Sequence, residues 1–131
     1  MKIAVTAKSN NLESEIDPRF GRCSFFLIID SDTMNFESIS NESSMASGGA
    51  GIQAAQTVAK TGAEIIITGN VGPNAFQTLS AAGIKVFTVI NGTIKEAIEK
   101  YKKGELSETT NPSVNSHYGM RAVGKGFGRG R

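Results

Sequence analysis

A single cysteine, Cys23, and a single histidine, His117, are the only thiol and imidazole in the 131 residues. One thiol excludes an internal disulfide, and it excludes a metal site assembled from several thiolates of one chain. An excess of either charge is missing too, since 14 basic side chains face 12 acidic ones. That near balance argues against nucleic acid or a membrane as the partner. No apolar run approaches the length of a membrane span, and Met1 to Ala7 alternates like a strand instead of reading as a signal peptide, so a cytoplasmic protein is expected. Two nucleotide signatures are also absent, Gly-x-x-x-x-Gly-Lys-Ser/Thr and a Gly-x-Gly-x-x-Gly that follows a strand with an acidic residue downstream. The opening strand Ile3-Ala4-Val5-Thr6-Ala7 carries no carboxylate, which weighs against a metal-dependent nuclease.

Glycine is what the chain has, and it is clustered. Ser47-Gly48-Gly49-Ala50-Gly51 and Gly69-Asn70-Val71-Gly72-Pro73-Asn74 each run straight into a helical pattern. Such helix starts expose backbone N–H groups at the positive end of the helix dipole, an arrangement suited to anions. The second turn follows Glu64-Ile65-Ile66-Ile67-Thr68, so it falls at the carboxyl end of a buried strand, where open α/β sheets bind ligands.

Lys2 to Ala7, Phe25 to Asp30 and Asn35 to Ser40 read as three strands. Ile52, Ala55, Val58 and Ala59 recur at helical spacing and end at Thr61-Gly62; a strand over Glu64 to Thr68 follows. Pro73 opens a second helix carrying Ala75, Phe76 and Leu79, which Gly83 closes, and Lys85 to Ile90 is the fifth strand. Thr93 and Glu96 predict a capping box for a third helix with the stripe Ile94, Ala97, Ile98 and Tyr101, ending at Gly104. The order is β1-β2-β3-α1-β4-α2-β5-α3. No period survives beyond Glu105, so the reading is a domain over 1–104 and a glycine-rich, basic, flexible tail over 105–131. An antiparallel meander of the first three strands, with helical crossovers after it, would bring 8–22, 41–48, 69–73 and 91–93 to one edge of the sheet.

The segments Lys2-Ile3-Ala4-Val5-Thr6, Asp17-Pro18-Arg19-Phe20-Gly21-Arg22, Ser47-Gly48-Gly49-Ala50-Gly51 and Ile67-Thr68-Gly69-Asn70-Val71-Gly72-Pro73-Asn74-Ala75-Phe76 occur in this order. In them the chain resembles the dinitrogenase iron-molybdenum cofactor biosynthesis family over about residues 1–104. The resemblance implies a ribonuclease H-like α/β fold with a mixed five-stranded sheet, and binding or carriage of metal-sulfur clusters. It assigns no pathway. In the cofactor-carrier branch a histidine often precedes Phe-Gly, and Arg19 stands there in this chain.

The expected function is non-catalytic: binding an anionic metal-sulfur cluster, iron-sulfur or molybdenum-containing, or a precursor, and delivery from a donor protein to an acceptor. A permanent iron-sulfur site needs about four protein ligands, mostly thiolates. One ligand and an anion-binding rim would hold a preassembled cluster loosely enough to release it. The candidate contacts are Arg19, Phe20, Gly21, Arg22, Ser47, Gly48, Gly49, Gly69, Asn70 and Gly72, with Cys23 and His117 as metal ligands. Arg19 and Arg22 supply guanidinium forks, and cations beside Cys23 would favour its thiolate. Each residue has a plainer reading: Cys23 as a small core residue, the glycines as close packing, Asn70 and Asn74 as turn residues, and His117, Met45 and Met120 as solvated or packed side chains. A small-anion or nucleotide-binding regulatory module would use the same helix starts. The chain is expected to be a monomer or a weak homodimer.

Overall fold

Alternate side chains of β1 (Lys2–Ala7) enter opposite layers, Ala4 into one apolar cluster and Ile3 and Val5 into another, because successive residues of a strand face opposite sides. The structure, a computed structural model, describes residues 1–41, 49–89 and 91–111. After β1 come a single 3-10 turn (Phe20–Arg22), β2 (Phe25–Asp30), β3 (Phe36–Ser40) and α1 (Ala50–Lys60). They are followed by β4 (Ile65–Thr68), α2 (Pro73–Ala81), β5 (Lys85–Thr88), α3 (Ile94–Lys102) and β6 (Glu108–Thr109). The strands form one mixed sheet in the order β3-β2-β1-β4-β5-β6.

β1 is antiparallel to β2, and β2 to β3, while β4 runs parallel to β1 and β5 parallel to β4. The meander expected from the sequence is therefore present, and β1, β3, β4 and β5 all end at the same edge. One face of the sheet packs Ala4, Phe26, Ile28, Ile66 and Val86 under Ala54, Ala55 and Val58 of α1 and Ala75 and Leu79 of α2. The other packs Ile3, Val5, Leu27, Ile29, Ile65 and Ile67 under Ile94, Ala97 and Ile98 of α3. Burial of the central strands on both faces explains the unbroken apolar run of β4.

The helix ends follow the sequence closely. Gly62, Gly83 and Gly104 adopt positive φ just beyond the three helices, as glycines that close helices do. Thr93 caps α3 in a full capping box: Glu96 N donates to Thr93 Oγ1 at 3.2 Å and Thr93 N to Glu96 Oε1 at 2.9 Å. No helix among the described residues is long and apolar enough to cross a membrane.

The expectation of five strands is corrected by β6, which pairs antiparallel with β5 through Val86↔Thr109 and Phe87↔Glu108. The hydroxyls of Thr88 and Thr109 also lie 3.1 Å apart. Two polar residues leave no periodicity to read; β6 exists because it covers the edge β5 would otherwise leave open. It lies within the stretch read as tail, most of which, 112–131, is outside the described residues together with His117 and Met120. Met45, Ser47 and Gly48 also fall outside them.

Candidate functional site

The loop between β1 and the 3-10 turn folds back over the carboxyl ends of the strands and is tied there at three points. Ala7 bridges Ile16, Glu15 bridges Thr93 and Arg19 bridges Asn70. Asn70 N donates to Pro18 O at 2.7 Å, and Phe20 N to Asn70 O at 3.4 Å. This contact explains Gly69, since a Cβ there would lie 2.5 Å from Pro18 Cα and 2.8 Å from Pro18 O. Gly21 is required for the same reason, with Gly51 N 2.9 Å from the position its Cβ would take. Asn41, just past β3, donates from Nδ2 to Gly21 O at 3.1 Å and Cys23 O at 2.9 Å, fixing the 3-10 turn against the sheet.

Beneath the loop runs a buried polar chain that the sequence reading did not pick out. Thr6 Oγ1 lies 2.6 Å from Asp17 O and 2.8 Å from Thr68 Oγ1. One hydroxyl carries one proton, so Thr6 shares its single donor between Asp17 O and Thr68 Oγ1. Asp17 itself is 1% exposed and receives both Nε and Nη2 of Arg19 at 3.0 Å, and Arg19 N at 3.0 Å. Burial raises the Asp17 carboxyl, but the hydrogen bonds and charge of Arg19, with the charge of Lys8, outweigh it and hold the group below its ordinary value. The Asp-Pro-Arg spacing was the available hint, because an Asp side chain often accepts the backbone N–H two residues on.

The pairing revises the role read for Arg19. One edge of its fork is committed to Asp17 and cannot also serve an anion. Cys23 is revised as well. It is fully buried in the first core cluster, its Sγ donates to Phe20 O at 3.3 Å, and burial pushes the thiol up to about 12, with Asp17 adding to the rise. Arg19 pulls the other way but is outweighed, so the expected thiolate is not favoured here.

Five of the other predicted contacts, Phe20, Gly21, Gly49, Asn70 and Gly72, converge, while Arg22 and Gly69 do not line the same hollow. A hollow of about 220 Å³ is lined by Phe20 and Gly21 from the 3-10 turn, by Gly49, Gly51 and Ile52 at the start of α1, and by Asn70, Gly72, Pro73, Asn74 and Ala75 at the start of α2. Both helices are N-capped by glycine, Gly49 and Gly72, which have no side chain to cap with. The first N–H groups of a helix have no carbonyl one turn back. Among the described residues those of Gly51, Ile52, Asn74 and Ala75 meet no acceptor, and they stand beside one cavity, whereas α3 fills the same need with its own Thr93 and Glu96. Gly72 has ordinary φ of −74° and open space where a Cβ would be. Among the described residues the lining carries no charged side chain, and the positive ends of two helix dipoles meet at the hollow.

A larger hollow of about 440 Å³ lies at the opposite edge, beside Gly62, Glu64, Gly83, Lys85 and Tyr101, and contains none of the predicted site residues. No group of three or more histidine, cysteine, aspartate or glutamate side chains placed to hold a metal occurs among the described residues.

Known proteins share this architecture. The orange protein of Desulfovibrio gigas, solved in its apo form, is 44% identical, covers 85% of this chain and 94% of its own, and superposes with a TM-score of 0.83. A NifB-like Thermotoga protein of the DUF35 family is 37% identical over 84% of this chain and 94% of that one, with a TM-score of 0.74. An uncharacterized Methanocaldococcus jannaschii protein is 32% identical over 111 residues, 82% of this chain and 91% of that one. The family model described as dinitrogenase iron-molybdenum cofactor matches residues 1–104, which hold β1 through α3 and every described residue of the rim, and the chain belongs to that family.

Proposed function

We propose that the protein binds an anionic metal-sulfur cluster, or a precursor of one, between the starts of α1 and α2 and passes it to an acceptor protein without catalysing a reaction. The observation that carries this reading is the pair of glycine-capped helix starts lining one hollow. Membership of a cofactor family supports it, as does likeness to a protein solved in an apo form. The N–H groups of Gly51, Ile52, Asn74 and Ala75 would donate to the outer sulfur or oxygen atoms of the cargo. Phe20, Ile52 and Pro73 give the hollow an apolar wall, which suits soft, weakly hydrated sulfides better than a phosphate that must keep its hydration.

Release follows from the same geometry. Amide donors bind without forming a coordinate bond, so the cargo leaves when an acceptor offers ligands. Cys23 would contribute only after losing a proton and moving out of the core. Anaerobic reconstitution with a thiometalate, followed by visible absorption and metal analysis, tests the reading. A stable colour with stoichiometric metal is expected. A colourless protein that instead binds inorganic phosphate would favour a small-anion regulatory module, for which the same donors would serve.

A further inference from the structure

β3 ends the sheet, and among the described residues nothing pairs with its outer edge. Which of its backbone groups face outward follows from the ladder with β2. Asp30 N donates to Asn35 O at 2.8 Å, and Asn41 N to Ser24 O at 2.9 Å. These flank the register Phe25↔Ser40 to Ile29↔Phe36, so the hydrogen-bonded pairs alternate through Phe26↔Ile39 and Ile28↔Glu37. Glu37 and Ile39 therefore spend their N–H and C=O groups on β2, and Phe36, Ser38 and Ser40 turn theirs outward.

This edge is self-complementary. A two-fold axis at Ser38 sets Ser38 opposite Ser38 of a second copy and Phe36 opposite its Ser40, and all three outward N–H groups on each chain then meet a carbonyl. Six backbone hydrogen bonds result. In that register Glu37 faces Ile39, so no like charges lie directly opposite. Phe36, which is 41% exposed, gains cover beside the small side chains of Ser38 and Ser40.

We propose that β3 is a homodimerisation edge, on which a second copy of this chain adds antiparallel about Ser38 to make one continuous sheet. The pairing is isologous, as two-fold interfaces are. It leaves the hollow free: antiparallel addition points the two rims in opposite directions, so each protomer keeps its own site.

Sedimentation of the full chain over a concentration series into the millimolar range tests the proposal, and the mass should rise from one chain towards two. Ser38→Pro removes an outward N–H that β2 does not use, and proline is tolerated on an edge strand in that position. Ser38→Lys sets two cations face to face. Both variants should keep the native circular dichroism spectrum and stay monomeric at every concentration. Ser38→Cys should form a disulfide-linked dimer on mild oxidation, because its Cα atoms would be about 5.5 Å apart. Glu37→Cys should not, as its partner lies on the diagonal at about 7–8 Å. A chain that stays monomeric throughout, or a dimer indifferent to both Ser38→Pro and Ser38→Lys, would overturn the proposal. Neither result bears on whether the hollow binds cargo.

Discussion

Asp17 and Arg19 form a two-point ion pair in which the carboxylate is hidden and the guanidinium is not: the side chains are 1% and 64% exposed, and both contacts are 3.0 Å. The pair closes the loop over the sheet, because the backbone of Asp17 is itself bonded to Thr6 on β1. Its contribution is structural before it is electrostatic.

Asp17→Ala should destabilise the protein by about 1–3 kcal/mol, the cost of removing a buried acceptor from its donors. The pH dependence has a definite sign. A carboxyl held below its ordinary value stabilises the fold fully above the unfolded pKa, and that stability is lost as pH falls through the folded one. Urea unfolding at neutral and strongly acid pH should show the wild type losing more stability than Asp17→Asn. Equal losses would mean that the pair contributes nothing.

Cys23 gives the opposite slope at the other end of the scale. The unfolded thiol ionises near its ordinary value of 9.0 and the folded one only at about 12. The neutral form is thus favoured by folding, and stability should fall by about 1.4 kcal/mol per pH unit between those values. Cys23→Ala should flatten this alkaline limb relative to wild type. Thiol labelling should be slow in the native protein and fast in urea; rapid native labelling would mean that the side chain is accessible.

Gly72 separates stability from binding. Aspartate there fits the backbone and can accept from the first N–H groups of α2, so Gly72→Asp should stabilise the protein by a few tenths of a kcal/mol. By occupying those donors with a fixed carboxylate it should also weaken thiometalate binding about tenfold or more, equivalent to about 1.4 kcal/mol. The double variant Arg19→Ala, Arg22→Ala should weaken it less, since neither side chain lines the hollow. Titrations by visible absorption decide between them; a stronger effect of the arginine pair would place the anion outside the hollow.

The sixth strand makes chain length testable. A chain ending at Gly104 loses β6 and uncovers Val86 and Phe87, whereas one ending at Asn111 keeps the pairing. The shorter chain should melt several degrees lower, about 4–8 °C for each kcal/mol lost. The longer one should melt like the full chain. Identical melting of both would show that β6 adds nothing to stability.

Local chemistry was legible in the sequence. Thr93 and Glu96 announce their capping box, the glycines after each helix announce positive φ, and Pro73 announces a helix start, because each depends on neighbours within a few residues. The order of strands and helices was enough to send the glycine turns to one edge, since meander and crossover leave few topologies open. β6 was not legible, as two polar residues form a strand only where β5 offers an open edge. The electrostatics of the rim were decided by the tertiary structure alone. Sequence places Arg19, Arg22 and Cys23 side by side and suggests a cationic site with a thiolate. Folding turns Arg19 onto Asp17 and sinks Cys23 into the core, leaving the backbone of two helix starts to face the hollow, because burial and pairing depend on which segments meet in space.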